Sequence, residues 1–249
     1  MTIIEKLVKD IQYLLKKNAP ILSEEQKSRM LKIINPDIPN YEMYGIKISE
    51  IEKIVKTVFK IYNCTYDNAI EVFKLLIKND IEDEKFAAFL FLNQFKRDFN
   101  EETITLFQKK YSTYCHTWSV CDSTCIRVIG PFLGKKGNEE LAKKTIYEWS
   151  NSEFTWIKRA SMIILLKIIM IKKDFNDAYV FELVKKMMKF SNQNYIEKGI
   201  GWLLKTCSKY KPDIIFNYLI SNRDNLTRLI LRYASEKLPK EKRSEILSK

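Results

Sequence analysis

The sequence predicts an all-α fold built from short antiparallel helix pairs, and three observations carry that prediction. Apolar residues recur at the i, i+3, i+4, i+7 spacing of a helix that is apolar on one side. No segment shows the apolar/polar alternation and hairpin-turn chemistry of paired strands. Only six Gly and six Pro occur in 249 residues, while hydrophobic residues make up 46%. The chain is therefore poor in helix breakers and long irregular loops, and it has ample material for a continuous core. A chain of this length buries roughly three-quarters of its unfolded surface.

The elements follow in order. Ile4, Leu7, Val8, Ile11, Leu14 and Leu15 form the apolar side of a first helix. Ile51, Ile54, Val55, Val58 and Ile61 repeat the pattern, and Leu226, Leu229, Ile230 and Tyr233 repeat it near the C-terminus. Residues 162–171 are the most apolar stretch, but Lys167 interrupts them. They are too few to span a bilayer and are expected to form a buried helix. Breaks are expected near residues 35–39, 63–66, 79–83, 130–131, 134–138, 150–152, 173–174, 191–192, 211–212 and 222–224, with Ser152 and Asp224 as helix caps. They leave about a dozen helices of ordinary length. Short loops between amphipathic helices give antiparallel pairs, and stacked pairs give a solenoid. No fixed sequence period marks repeats, so a compact bundle is the structural alternative. No linker divides the chain, which is expected to be one domain over residues 1–249. Residues 130–138 are the candidate joint.

Charge is distributed unevenly. Residues 127–249 hold 25 Lys+Arg and 13 Asp+Glu, whereas residues 1–126 hold 18 of each. The whole net charge of +12 thus lies in the second half. A compositional bias alone would raise both halves, so the asymmetry favours an acidic polymer partner. The N-terminus contains Glu5 and Asp10 and shows no signal-peptide pattern. Five cysteines without scaffold spacing fit a reduced, cytoplasmic compartment.

Several chemistries are disfavoured. His116 is the single histidine, which argues against Ser-His or paired-histidine catalysis. Neither a dinucleotide-binding glycine motif nor a phosphate-binding Gly-Lys-Ser/Thr loop is present. Cys115, His116, Cys121 and Cys125 lack the two close pairs and intervening loop of a zinc site, so neither metal nor cofactor is expected.

Four side chains remain as the chemical core: Trp118, Asp122, Arg159 and Trp202. Trp118 and Asp122 are four residues apart, on one helical face that would also include Cys125, Ile126 and Ile129. An Asp on so apolar a face requires a partner or a cleft. Lys198, Trp202, Lys205 and Lys209 share one stripe of a helix whose opposite stripe is Ile196, Ile200, Leu203, Leu204 and Cys207. Trp202 therefore projects from a basic face, where it can stack on a nucleic acid or pack over lysine stems. Gly199 and Gly201 beside it imply close approach, by another helix or by a DNA backbone. Arg159 can grip a phosphate through two parallel hydrogen bonds or pair with an acid. Lys158 points elsewhere and is expected to be solvated.

The segments Trp118-Ser119-Val120-Cys121-Asp122, Trp156-Ile157-Lys158-Arg159 and Lys198-Gly199-Ile200-Gly201-Trp202 resemble the W-x-x-x-D, W-x-x-R and K-x-x-G-W motifs of the DNA alkylation repair family. Gly45-Ile46-Lys47, and the helix with Glu84, Ala88 and Leu92, are similar to further family features. Lys205 stands where many relatives carry Arg. The resemblance implies a HEAT-like helical-repeat solenoid with a concave basic face for double-stranded DNA. It also implies a glycosylase that removes cationic N3- or N7-alkylated purines; no feature demands an oligomer, and a monomer is expected. Asp122, Trp118 and Trp202 would be catalytic, and Arg159, Lys198, Lys205 and Lys158 would hold DNA. A non-catalytic nucleic-acid scaffold and a protein–protein adaptor are the alternatives.

Overall fold

Fifteen α-helices follow one another in a computed structural model that describes residues 1–34, 38 and 41–248. The break expected at residues 35–39 lies outside the described residues, apart from Ile38. No strand occurs among the described residues; the nearest approach to one is an isolated bridge between Glu42 and Ile81. The fold is all-α, as the periodicity predicts. Its packing divides into two compact units, residues 1–124 and 125–249, where the sequence marks no linker.

The first unit contains α1 (Ile3–Lys17), α2 (Glu24–Ile34), α3 (Ile48–Ile61), α4 (Tyr66–Leu76), α5 (Glu82–Leu92), α6 (Glu101–Tyr114) and α7 (Trp118–Thr124). Helices α1, α3, α5 and α7 pack in succession, each on the next but one in the chain, while α4 covers α1 and α5. This is the stacking of a helical-repeat fold. The apolar stripes read from the sequence supply the core: Leu7, Ile11 and Leu15 from α1, and Ile51, Val55 and Val58 from α3. Helix α5 is buried along its whole length except at Phe86. Capping boxes at Thr2, Thr65 and Asn100 satisfy the first amides of α1, α4 and α6.

The second unit opens with a π-helical turn, Cys125–Ile129. It continues through α8 (Gly130–Leu133), α9 (Glu139–Ser150), α10 (Thr155–Lys172), α11 (Asp177–Met187), α12 (Asn194–Cys207), α13 (Pro212–Ser221), α14 (Arg228–Ala234) and α15 (Lys240–Leu247). Helices α10, α12 and α14 stack in succession, with α9 against α10. The stretch 162–171 lies inside α10 and is buried through Ile169 except at Lys167. Among the described residues no helix is long and apolar enough to cross a membrane.

Two sequence expectations about boundaries need correction. Gly130-Pro131 is not a break: the pair begins α8, which follows directly on the π-helical turn. A side chain at Gly130 would meet the Cys125 carbonyl at 2.6 Å and the Lys167 side chain at 2.7 Å. The two expected caps also sit too early. Ser152 accepts from the Phe154 amide in the turn before α10, and Thr227, not Asp224, caps α14 through the Ile230 amide.

Candidate functional site

In the first unit the candidate residues lie on α7, a short helix held from its N-terminal end. Thr117 precedes it, and its hydroxyl accepts from the Val120 amide at 3.2 Å, the bond of an N-cap. Trp118 occupies the first helical position and is half-exposed. Its indole N–H donates to the Ile33 carbonyl, in the last turn of α2, at 2.9 Å. Asp122 follows one turn later, only 6% exposed, among the buried residues Val120, Cys121 and Thr124. The spacing thus sets a ring and a sheltered carboxylate on one side of a single helix. Regular α-helix ends at Thr124, so the register that would align Cys125, Ile126 and Ile129 with Asp122 is interrupted by the π turn.

The anchor beneath α7 was not legible in the sequence. Glu82, Asp83, Glu84 and Lys85 form the first turn of α5, a place where acids are usually solvated and complement the helix dipole. All four are at most 1% exposed. Glu82 accepts hydrogen bonds from the hydroxyls of Tyr41, Thr117 and Ser119. Asp83 accepts from the backbone amides of Tyr44 (2.7 Å) and Ile46 (2.8 Å), and Glu84 from Gln12 (2.8 Å) and Asn79. Lys85 donates to the carbonyls of Ile77 and Tyr114, each at 2.9 Å. Burial pushes the Glu82 and Asp83 carboxyls above the usual carboxylate range, against the hydrogen bonds that favour their charged forms. Burial likewise lowers the Lys85 ammonium.

In the second unit α12 has the two faces its sequence predicts. Ile196, Ile200, Leu203, Leu204 and Cys207 are fully buried, while Lys198, Trp202 and Lys205 are half-exposed on the other side. Lys209 lies in the turn after the helix. Lys205 forms a 2.8 Å ion pair with Glu236. Both glycines of α12 serve helix packing. An added Cβ on Gly201 would lie 2.5 Å from Tyr233 Cβ on α14. On Gly199 it would lie 2.7 Å from Met162 Cε and 3.5 Å from Arg159 Nη1 on α10. Of the two approaches the sequence allows, a neighbouring helix makes this one.

Arg159 and Lys158 are more enclosed than the sequence suggests. Arg159 is 5% exposed, and its guanidinium donates to the Tyr195 carbonyl in the first turn of α12. Trp156 packs against the ring of Tyr195, with centroids 4.8 Å apart. The expectation that Lys158 is solvated is overturned. It is 4% exposed, with its amine 3.9 Å from the centre of the Phe190 ring, and burial lowers its pKa. The reason is that α10 is apolar nearly all round, so its first turn has little solvent face for a cation.

The charge asymmetry coincides with the structural division. Positions 125 and 126 are Cys and Ile, so the first unit is neutral and the second carries the entire +12. Among the described residues no group of three or more His, Cys, Asp or Glu side chains could hold a metal ion.

Comparison with known proteins gives this arrangement a context. A family model described as "DNA alkylation repair enzyme" matches residues 12–238. Among solved structures the chain is similar to "Predicted DNA alkylation repair enzyme from Enterococcus faecalis", with 18% sequence identity and a TM-score of 0.69. That match covers 88% of this chain and 97% of the other; at such identity the likeness shows the fold alone. No curated protein matches the chain. The match of the family model over most of the sequence supports an enzyme's role in the repair of alkylation damage. The chain belongs to the DNA alkylation repair enzyme family.

Proposed function

We propose that the protein is a DNA glycosylase that excises cationic N3- or N7-alkylated purines from duplex DNA. The observation that carries this reading is the sheltered Asp122 carboxylate one helical turn from the half-exposed Trp118 ring. An alkylated purine already carries positive charge and departs as a neutral base, so the reaction needs no strong general acid. The barrier lies in the oxocarbenium-like deoxyribose left behind. A carboxylate shielded from water stabilises that cation more strongly than a solvated one. Asp122 would also orient the attacking water.

Trp118 and Trp202 would each offer a ring face to the sugar, worth about 0.5–2 kcal/mol of cation–π attraction. Arg159 would hold a neighbouring phosphate, and Lys198 and Lys205 would hold the DNA backbone from the basic unit. To take part, Arg159 must share its guanidinium with the Tyr195 carbonyl, and Lys205 must share its ammonium with Glu236. Lys158 would support this surface from beneath, through its contact with Phe190. The chemistry asks for no metal or cofactor, and the protein would act as a monomer.

The net charge of +12 carried by residues 125–249 favours one other reading as well, a scaffold that holds nucleic acid without cutting it. Incubation with methylated duplex DNA separates the two. Free methylpurine released above the uncatalysed background supports the glycosylase. DNA binding that weakens steeply with salt but releases no base supports the scaffold.

A further inference from the structure

Glu82 is a buried carboxylate with three hydroxyl donors and no part in the chemistry described above. Tyr41 reaches it from the segment before α3, and Thr117 and Ser119 reach it from the start of α7. Thr117 has one proton to donate. Directing that proton to Glu82 leaves its oxygen lone pairs for the Val120 amide, so carboxylate, cap and helix form one polarised chain. Trp118 is held between Thr117 and Ser119 in sequence, and Asp122 lies one turn further along the same short helix. A carboxylate can accept from all three hydroxyls at once, whereas an amide offers a single acceptor oxygen. The contact therefore specifies an acid at position 82, where apolar packing could fill the space without fixing the helix end.

We propose that Glu82 is a positioning residue for base excision: it fixes the N-terminal turn of α7, and through that turn the places of Trp118 and Asp122, an inference that rests on the glycosylase reading above. Glu82 itself touches neither sugar nor base. Its effect is geometric, because a displacement of about 1 Å at a reacting group can cost on the order of a hundredfold in rate.

The test compares wild type, Glu82→Gln and Ser119→Ala, with and without Asp122→Asn. It uses single-turnover release of methylpurine, duplex DNA affinity at fixed salt, and circular dichroism for folded protein. Glu82→Gln is expected to slow release about 10–100-fold while DNA affinity stays within about twofold. Ser119→Ala should move release in the same direction by less. On the Asp122→Asn background Glu82→Gln should slow release by clearly less, because the part of its effect that acts through the Asp122 charge is already lost. Release by Glu82→Gln at the wild-type rate overturns the proposal. So does an equal slowing on both backgrounds, or a loss that only follows the folded fraction. If Glu82→Gln does not fold, Ser119→Ala decides, and wild-type release by that variant overturns it. A wild type that releases no base refutes the glycosylase reading and this proposal with it; an active wild type with an equally active Glu82→Gln refutes the positioning role alone.

Discussion

Gly201→Ala should loosen the second unit, while Gly199→Ala, two residues away on the same helix, should barely affect it. At Gly201 the added carbon would stand 2.5 Å from Tyr233 Cβ and 3.3 Å from Tyr233 Cγ. Comfortable carbon contacts are roughly 3.5–4.0 Å, so α12 and α14 would have to part by about 1 Å. The obstructing atom is a Cβ fixed to the α14 backbone and cannot turn aside. Overpacking of this kind costs about 1–3 kcal/mol. Replacing a mid-helix glycine by alanine returns about 0.5–1 kcal/mol. At the middle of both ranges the net loss is about 1 kcal/mol. At Gly199 the obstruction is Met162 Cε, 2.7 Å away at the free end of a flexible side chain. A methionine rotamer change there should roughly cancel the gain in helix propensity, leaving the variant within about 0.5 kcal/mol of wild type. Urea unfolding of the two variants and wild type measures both values. Gly201→Ala as stable as wild type, or Gly199→Ala the more damaging of the pair, would refute the close helix approach as the reason for these glycines.

Two further outcomes follow from the buried charges. Burial raises the Glu82 carboxyl above its ordinary value of 4.5, so the folded chain holds that proton more tightly than the unfolded chain. The penalty for burying the charge is absent below the ordinary value and complete above the raised one, so this group's contribution to stability falls as pH rises through that window. Glu82→Gln, a neutral stand-in, should therefore compare more favourably with wild type at pH 7 than at pH 5 in urea melts; a pH-independent difference would contradict the assignment. Lys158→Met should leave the salt dependence of DNA binding unchanged, because the Lys158 amine sits on Phe190. Lys198→Met should reduce the log–log slope by about one, and equal slopes for the two variants would show that Lys158 reaches phosphate.

What the sequence reveals and what it hides divide along physical lines. The faces of α12 are legible because five buried apolar residues and three half-exposed polar or aromatic ones alternate at helical spacing. The pairing of Trp118 with Asp122 is legible for the same reason, since both lie within one regular turn. The first turn of α5 is hidden. Three acids and a lysine look solvated by composition, but the hydroxyls of Tyr41, Thr117 and Ser119 make the burial of Glu82 tolerable, and the amides before α3 that of Asp83. Those partners are tens of residues away, beyond any local pattern. Lys158 misleads likewise, because its aromatic partner belongs to the turn after α11. Charge is legible only as a sum. The excess of lysine and arginine falls in the second unit, but the sequence does not tell that Lys205 is paired with Glu236 and Arg159 with a backbone carbonyl.

The central claim is that the negative charge of Asp122 drives base release. Its most direct test is single-turnover excision from a duplex carrying one 7-methylguanine, with wild type beside Asp122→Asn. The substitution keeps shape and removes charge. Wild type should form abasic sites well above background, and Asp122→Asn should lose about 10²–10³-fold of that rate, the scale seen when one electrostatic stabiliser is removed from an active site, while binding the duplex as tightly. Excision by Asp122→Asn at the wild-type rate would contradict the account.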